Sequence, residues 1–83
     1  MEGPEGFESR AIVVEPGGMR IYNETEWQDA LVVVLCGEIE LEAVGGASAR
    51  FKRGAVLCLA GLGLRALRTR GTEPAVLVAV SRR

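Results

Sequence analysis

No histidine occurs among the 83 residues of this chain, which removes the commonest metal-binding side chain and the commonest general base before any site is considered. Cysteine is scarce as well. Cys36 and Cys58 are the only two, and two sulfurs without an imidazole make a poor zinc site. Each lies in an apolar run, Val-Val-Val-Leu-Cys and Val-Leu-Cys-Leu, which suits a buried thiol behaving as a small hydrophobe better than a disulfide. Long hydrophobic runs are missing too. The uncharged run of strong apolar character from Ala30 to Gly37 is far below the roughly 20 residues that span a bilayer, and the acidic start from Met1 to Glu8 is unlike a secretion signal. A cytoplasmic protein with no membrane partner is expected.

What is present describes one small folded domain over residues 1–83. Hydrophobic residues make up 48% and aromatics only 5%, so the core is aliphatic. Charged residues at 25% are too ordinary for a disordered chain. A chain this short buries only about 60% of its unfolded surface, so it needs closed strand edges, a compact core or a partner subunit.

Charge is divided along the chain. Residues 1–42 hold ten acids and two bases, a net of -8, whereas residues 43–83 hold one acid and eight bases, a net of +7. Such a division can mark a nucleic-acid-binding tail, but it also arises when acidic strands are laid beside basic ones. With a whole-chain charge of -1 there is no net attraction for phosphate backbones. The second reading is favoured, and no nucleic-acid partner is expected.

The pattern is one of strands. Arg10 to Glu15 is a β-branched run stopped by Pro16-Gly17-Gly18, and Met19 to Asn23 continues after the turn. Ala30 to Val44 reads as one long strand or as two joined by a bend at Gly37. Beyond Gly37, Glu38, Glu40 and Glu42 share one face while Ile39, Leu41 and Ala43 share the other. Further strands are expected at Arg50 to Arg53, Ala55 to Leu59, Leu62 to Arg70 and Ala75 to Val80. No segment carries a long apolar stripe of 3.6-residue period, and many short strands with glycine punctuation point to an all-β barrel or sandwich. If Gly45, Gly46 and Ala47 form a three-residue loop, Glu42 faces Arg50, Glu40 faces Lys52 and Leu41 faces Phe51, so charge and burial agree.

This order of elements resembles the cupins, small double-stranded β-helix barrels of the jelly-roll type, over roughly residues 17–80. The frame of the family's second motif falls on Gly54, on Ala60-Gly61-Leu62-Gly63-Leu64-Arg65 and on Thr69. The first motif's Glu and closing Gly fall on Ala30 and Gly37, and its His-x-His pair falls on Asn23 and Thr25 or on Glu24 and Glu26. The framework glycines match and every metal-ligand position departs. The resemblance therefore implies the barrel but not the family's metal chemistry, and neither a metal nor another cofactor is expected.

By the same resemblance Arg65, Leu67 and Thr69 share a face that points into the barrel. An inward guanidinium needs a partner, either Glu24 or Glu26 or an anion from outside. The candidate ligand-binding residues are thus Arg65, Thr69, Glu24, Glu26 and Trp27. Glu24 and Glu26 share a face if extended and are candidates for proton transfer, and Trp27 is read either as a cap on the pocket or as core. In the central strand Leu31, Val33 and Leu35 face away from Val32, Val34 and Cys36, so both faces are apolar and the outer one needs cover. Residues 1–8 are expected to be flexible. Residues 9–15 are expected to cover that face or to be exchanged within a homodimer. The functions that follow are a metal-free module binding a small organic anion, an enzyme using atypical or no metal for isomerase- or lyase-like acid/base chemistry, or a partner-binding barrel whose interior is filled by Leu41, Phe51 and Leu67.

Overall fold

The computed structural model describes residues 6–82. Eight strands follow in chain order: β1 (Phe7–Val14), β2 (Met19–Ile21), β3 (Ala30–Cys36), β4 (Glu38–Ala43), β5 (Ser48–Lys52), β6 (Val56–Leu57), β7 (Leu64–Arg68) and β8 (Ala75–Arg82). A single helical turn, α1 (Glu24–Trp27), lies between β2 and β3. The strands form two antiparallel four-stranded sheets, the first ordered β1-β8-β3-β6 and the second β2-β7-β4-β5. The chain is an all-β jelly roll, as the strand punctuation implies. Of the segment expected to be flexible, residues 1–5 lie outside the described residues, while Phe7 and Glu8 already belong to β1.

Side-chain alternation builds the core. Ile12 and Val14 from β1, Ala30, Val32 and Val34 from β3, and Ala75, Leu77 and Ala79 from β8 face inward from the first sheet. Ile39, Leu41 and Leu67 meet them from the second, and Trp27 and Leu59 complete the cluster from outside the strands. Phe51, Leu57, Leu64, Ala55 and Tyr22 pack against its margin. Apolar side chains, Leu41 and Leu67 among them, therefore fill much of the barrel interior, while Phe51 stays partly buried and lines with Leu41, Leu62 and Leu64 an open apolar pocket of about 210 Å³.

Gly37 sets the break between β3 and β4. Its φ is 73°, and a Cβ there would lie 2.3 Å from the Pro74 carbonyl oxygen. Only glycine lets the β3–β4 junction pass this close to the entry of β8.

The β4–β5 hairpin corrects the expected register by two residues. Glu40 faces Arg50, Leu41 faces Ala49, Ile39 faces Phe51 and Glu38 faces Lys52. The loop is Val44-Gly45-Gly46, closed by Ala43 N donating to Ala47 O at 2.8 Å and Gly46 N donating to Ala43 O at 2.9 Å. The last residue of such a loop takes a left-handed conformation, and Gly46 does so at φ 99°. The loop read from the sequence would have put Ala47 there, at a penalty of roughly 1–2 kcal/mol. A two-residue shift keeps every side chain on its face, so the glutamate row stays outside as expected.

Two bulges overturn simple alternation elsewhere. The β3–β8 register slips between Val34 and Cys36, and Leu35 and Cys36 are both exposed. Cys58 is exposed too, and both thiols are free, so the expectation of buried cysteines fails. The β4–β7 register slips between Glu42 and Ala43, with consequences for Arg65 described below.

Candidate functional site

The segment from Glu24 to Trp27 is helical rather than extended. Asn23 caps the turn, its side-chain oxygen accepting from Thr25 N at 3.0 Å while its carbonyl accepts from Glu26 N at 3.0 Å. Residues two apart on a helix point away from one another, so Glu24 and Glu26 do not share a face and do not act as a pair. Glu24 accepts from the Tyr22 hydroxyl at 2.7 Å and from Gly61 N at 3.2 Å, tying α1 to the β6–β7 loop. Burial, with the Glu24 carboxylate beside it, pushes the Tyr22 hydroxyl up to about 12.

Glu26 turns the other way. Its carboxylate receives Arg20 and Arg10, the latter at 3.4 Å, and Arg10 also donates to the Glu26 carbonyl. Burial pushes this carboxyl up, but the two guanidiniums, Arg20 first, outweigh it and hold the group below its ordinary range. Arg10 is spread over Trp27, 5.3 Å from the ring centroid, in a cation–π contact. Trp27 itself is 0% exposed. It is core rather than a cap on a pocket, and it occupies the interior beside Ala30, where the resemblance would put a ligand carboxylate.

Arg65 does not enter the barrel. Leu67 pairs with Leu41 and faces the core, and Glu42 pairs with Ala66 on the outer face, but Ala43 pairs with Leu64. Arg65 is therefore the extra residue of a bulge, and its side chain emerges on the outside. It meets Glu42 at 3.2 Å and is 55% exposed, so its partner is neither Glu24 nor Glu26. Arg68 holds the same carboxylate at 3.1 Å. These hydrogen bonds and charges, Arg68 foremost, keep Glu42 below the usual carboxylate range. The adjacent Glu40, with a side chain only 7% exposed, is held by Arg70 at 2.7 Å and Arg50 at 3.6 Å. The acidic strand β4 thus lies between the basic strands β5 and β7, as the divided charge implies.

Thr69 is buried but serves the fold. Its hydroxyl donates to the Glu15 carbonyl and accepts from Gly18 N at 3.1 Å, fastening the turn between β1 and β2 to the end of β7. The five candidate residues therefore divide into three places: α1 for Glu24, Glu26 and Trp27, the outer face for Arg65, and the opposite end of β7 for Thr69. Sequence reasoning missed Arg10, Arg20, Arg68 and Arg70 as partners of these acids. Asn23 followed three residues later by Glu26 is a capping signal that announces the helical turn.

These residues do not fit a divalent metal. Ala30 offers no donor, Arg65 is a cation on the outer face, Glu24 is engaged by Tyr22 and Gly61, and Glu26 by two arginines. Among the described residues no group of three or more Cys, Asp or Glu could hold a metal ion.

No protein-family model matches this sequence, and no curated protein matches it. Solved structures do. The cupin-2 domain of an XRE family transcriptional regulator from Enterobacter cloacae superposes with a TM-score of 0.71 at 22% identity, over 90% of this chain and 79% of that one. A cupin-2 conserved barrel domain protein from Salinispora arenicola gives 0.73 at 24%, over 96% and 68%, and an RmlC-like cupin protein from Desulfovibrio desulfuricans gives 0.68 at 24%, over 98% and 76%. The fold is that of a small cupin domain. At these identities the likeness establishes the barrel, and what this cupin fold does must be argued from its own side chains. Among the described residues no helix is long and apolar enough to cross a membrane.

Proposed function

We propose that this cupin-fold domain is a metal-free binding module that works through its surfaces, and that it is a homodimer. The observation that carries the reading is the largely filled interior: Trp27, Ile39, Leu59, Leu67, Leu77, Val32 and Val34 are fully buried between the two sheets, and the open pocket of about 210 Å³ beside Leu41, Phe51, Leu62 and Leu64 is lined by no ionisable side chain.

The partner we assign is a second copy of the chain, docked on the outer face of the first sheet. Rows of Ala11, Val78, Val33 and Val56, of Val80 and Leu31, and of Val13 and Val76 cross that face. Val13, Leu31, Leu35 and Val56 are each about half exposed. β1 lies edge-on beside the chain's own β8 and does not cover this surface. The long strands at about 4.8 Å spacing and about 3.3 Å per residue give a face of roughly 400 Å² in projection, comparable with patches that mark interaction sites. The face is apolar apart from Arg82 and Asp29 at one end, charges of opposite sign that do not set one copy against another, so two-fold stacking of sheets about 10 Å apart satisfies both copies. Free, exposed Cys36 and Cys58 suit a reducing, cytoplasmic setting. Sedimentation equilibrium should give a dimer, and Val78→Lys, placed at the centre of the face, should give a folded monomer. A wild-type monomer at every concentration, or a dimer that survives Val78→Lys, refutes the interface.

One observation favours a small organic anion as a ligand of the module: four arginines share two carboxylates on the outer face of the second sheet. The surplus guanidinium charge at Arg65 is then the anchor. Arg65→Ala should abolish thermal stabilisation by dicarboxylates while leaving the unliganded melting temperature nearly unchanged; equal stabilisation of variant and wild type discards this ligand site.

A further inference from the structure

At one end of the barrel three segments surround an open cleft of about 520 Å³ that neither reading above uses: the β3–β4 junction at Gly37 and Glu38, the end of β5 at Lys52 and Arg53, and the β7–β8 loop at Thr72 and Glu73. Its volume lies in the range of about 300–1,000 Å³ typical of small-molecule sites. Its charges differ from those around α1 and along β4. Glu24, Glu26, Glu40 and Glu42 are all engaged by hydrogen bonds or ion pairs, and six arginines are paired with three of them. Glu38, Glu73, Lys52 and Arg53 line one cleft, and among the described residues none of the four is in an ion pair or a side-chain hydrogen bond. Glu38 and Lys52 are even directly opposed across β4 and β5, the relation that closes Glu40 onto Arg50 two residues along, yet they stay apart.

A ligand of one sign is attracted by half of this lining and repelled by the other half. A ligand carrying both signs engages all four groups at once. We propose that the cleft binds a small zwitterion of amino-acid type, its carboxylate directed to Lys52 and Arg53 and its ammonium to Glu38 and Glu73. Gly37 keeps the junction close to Pro74 and so fixes Glu38 relative to the loop that carries Glu73. The site lies apart from the apolar outer face of the first sheet, so the inference stands or falls independently of the homodimer.

The test is a titration of the intact, isotopically labelled protein with the standard L-α-amino acids, one at a time, followed by amide chemical shifts. The amino acid that binds is then compared with its N-acetyl derivative and its methyl ester. Saturable shifts confined to Gly37, Gly71, Thr72 and their neighbours are expected for at least one amino acid, with affinity lowered about tenfold or more when either charge is blocked. Lys52→Gln and Glu73→Gln, both at exposed positions, should weaken binding to a similar extent at an unchanged melting temperature. Absence of saturable shifts for every amino acid, shifts centred elsewhere, or equal binding of the N-acetyl or methyl-ester form would overturn the proposal.

Discussion

Replacing Gly37 by alanine isolates the contact that joins the two sheets at the end of the barrel. Two penalties combine there. The left-handed φ of 73° is unfavourable for a residue with a Cβ by roughly 1–2 kcal/mol. The new methyl would also lie 2.3 Å from the Pro74 carbonyl oxygen, a backbone atom that no rotamer change moves aside. Relieving that overlap shifts the β3–β4 junction from the β7–β8 loop, for which the range of about 1–3 kcal/mol seen on overpacking is a fair guide. Reduced freedom of the unfolded chain returns about 0.4–1 kcal/mol, leaving Gly37→Ala destabilised by about 3 kcal/mol. Gly46→Ala is the control, because its φ is 99° but nothing lies within 4 Å of its Cβ position; its loss should be about 1 kcal/mol. In a domain of this size each kcal/mol moves the melting temperature by about 4–8 °C. Thermal melts at one protein concentration should therefore place Gly37→Ala well below Gly46→Ala, and equal melting temperatures for the two variants refute the close approach of Gly37 to Pro74.

Trp27→Ala should remove about 3–5 kcal/mol, as expected for a large aromatic fully inside a core, whereas Trp27→Phe should lose much less because the indole Nε1 is buried without a hydrogen-bond partner among the described residues; urea unfolding measures both. Glu26 and Glu42 are depressed in the folded state, so the unfolded chain takes up protons first. Their contribution is complete above the ordinary carboxylate range and is lost as pH falls through the lower folded values. Melting temperature should accordingly drop on acidification, and a double Glu26→Gln, Glu42→Gln variant should show a flatter dependence. Arg70→Ala should cost more than Arg50→Ala, by no more than about 1 kcal/mol, since Arg70 is the closer partner of Glu40 and both arginines are more than half exposed. Both thiols should react with a disulfide reagent in native buffer; a need for denaturant at either would contradict the exposure of Cys36 and Cys58.

Alternation and punctuation made the barrel legible. Val32 and Val34 inward with Leu31 and Val33 outward, the glutamate row of β4 and the break at Gly37 all follow from a two-residue period and one glycine. The errors come from places where a single residue breaks that period. The bulge that places Arg65 beside Glu42 has no marker in Leu64-Arg65-Ala66-Leu67, and it turns an inward guanidinium into an outward one. The bulge after Val34 does the same to Cys36. The hairpin slipped by two because charge matching alone does not fix register; the φ that only Gly46 tolerates does. Glu24 and Glu26 were separated by a helical turn whose cap, Asn23, was readable.

The charge division acquires its meaning from these corrections. Four of the eight bases of the second half bind Glu40 and Glu42 of the first, so half of that positive charge is consumed in fastening the flanking segments to β4 and offers no polyanion a continuous track. The first sheet takes no part in this pairing, and its outer face crosses β1, β8 and β3 almost without charge. Four side chains of unpaired charge gather instead in the cleft beside Gly37, at the end of the second sheet. Surfaces separated in this way can be used together: docking two copies through the first sheet leaves Glu38, Lys52, Arg53 and Glu73 open to solvent on each. Amino-acid affinity should therefore be the same for the wild-type dimer and for the Val78→Lys monomer.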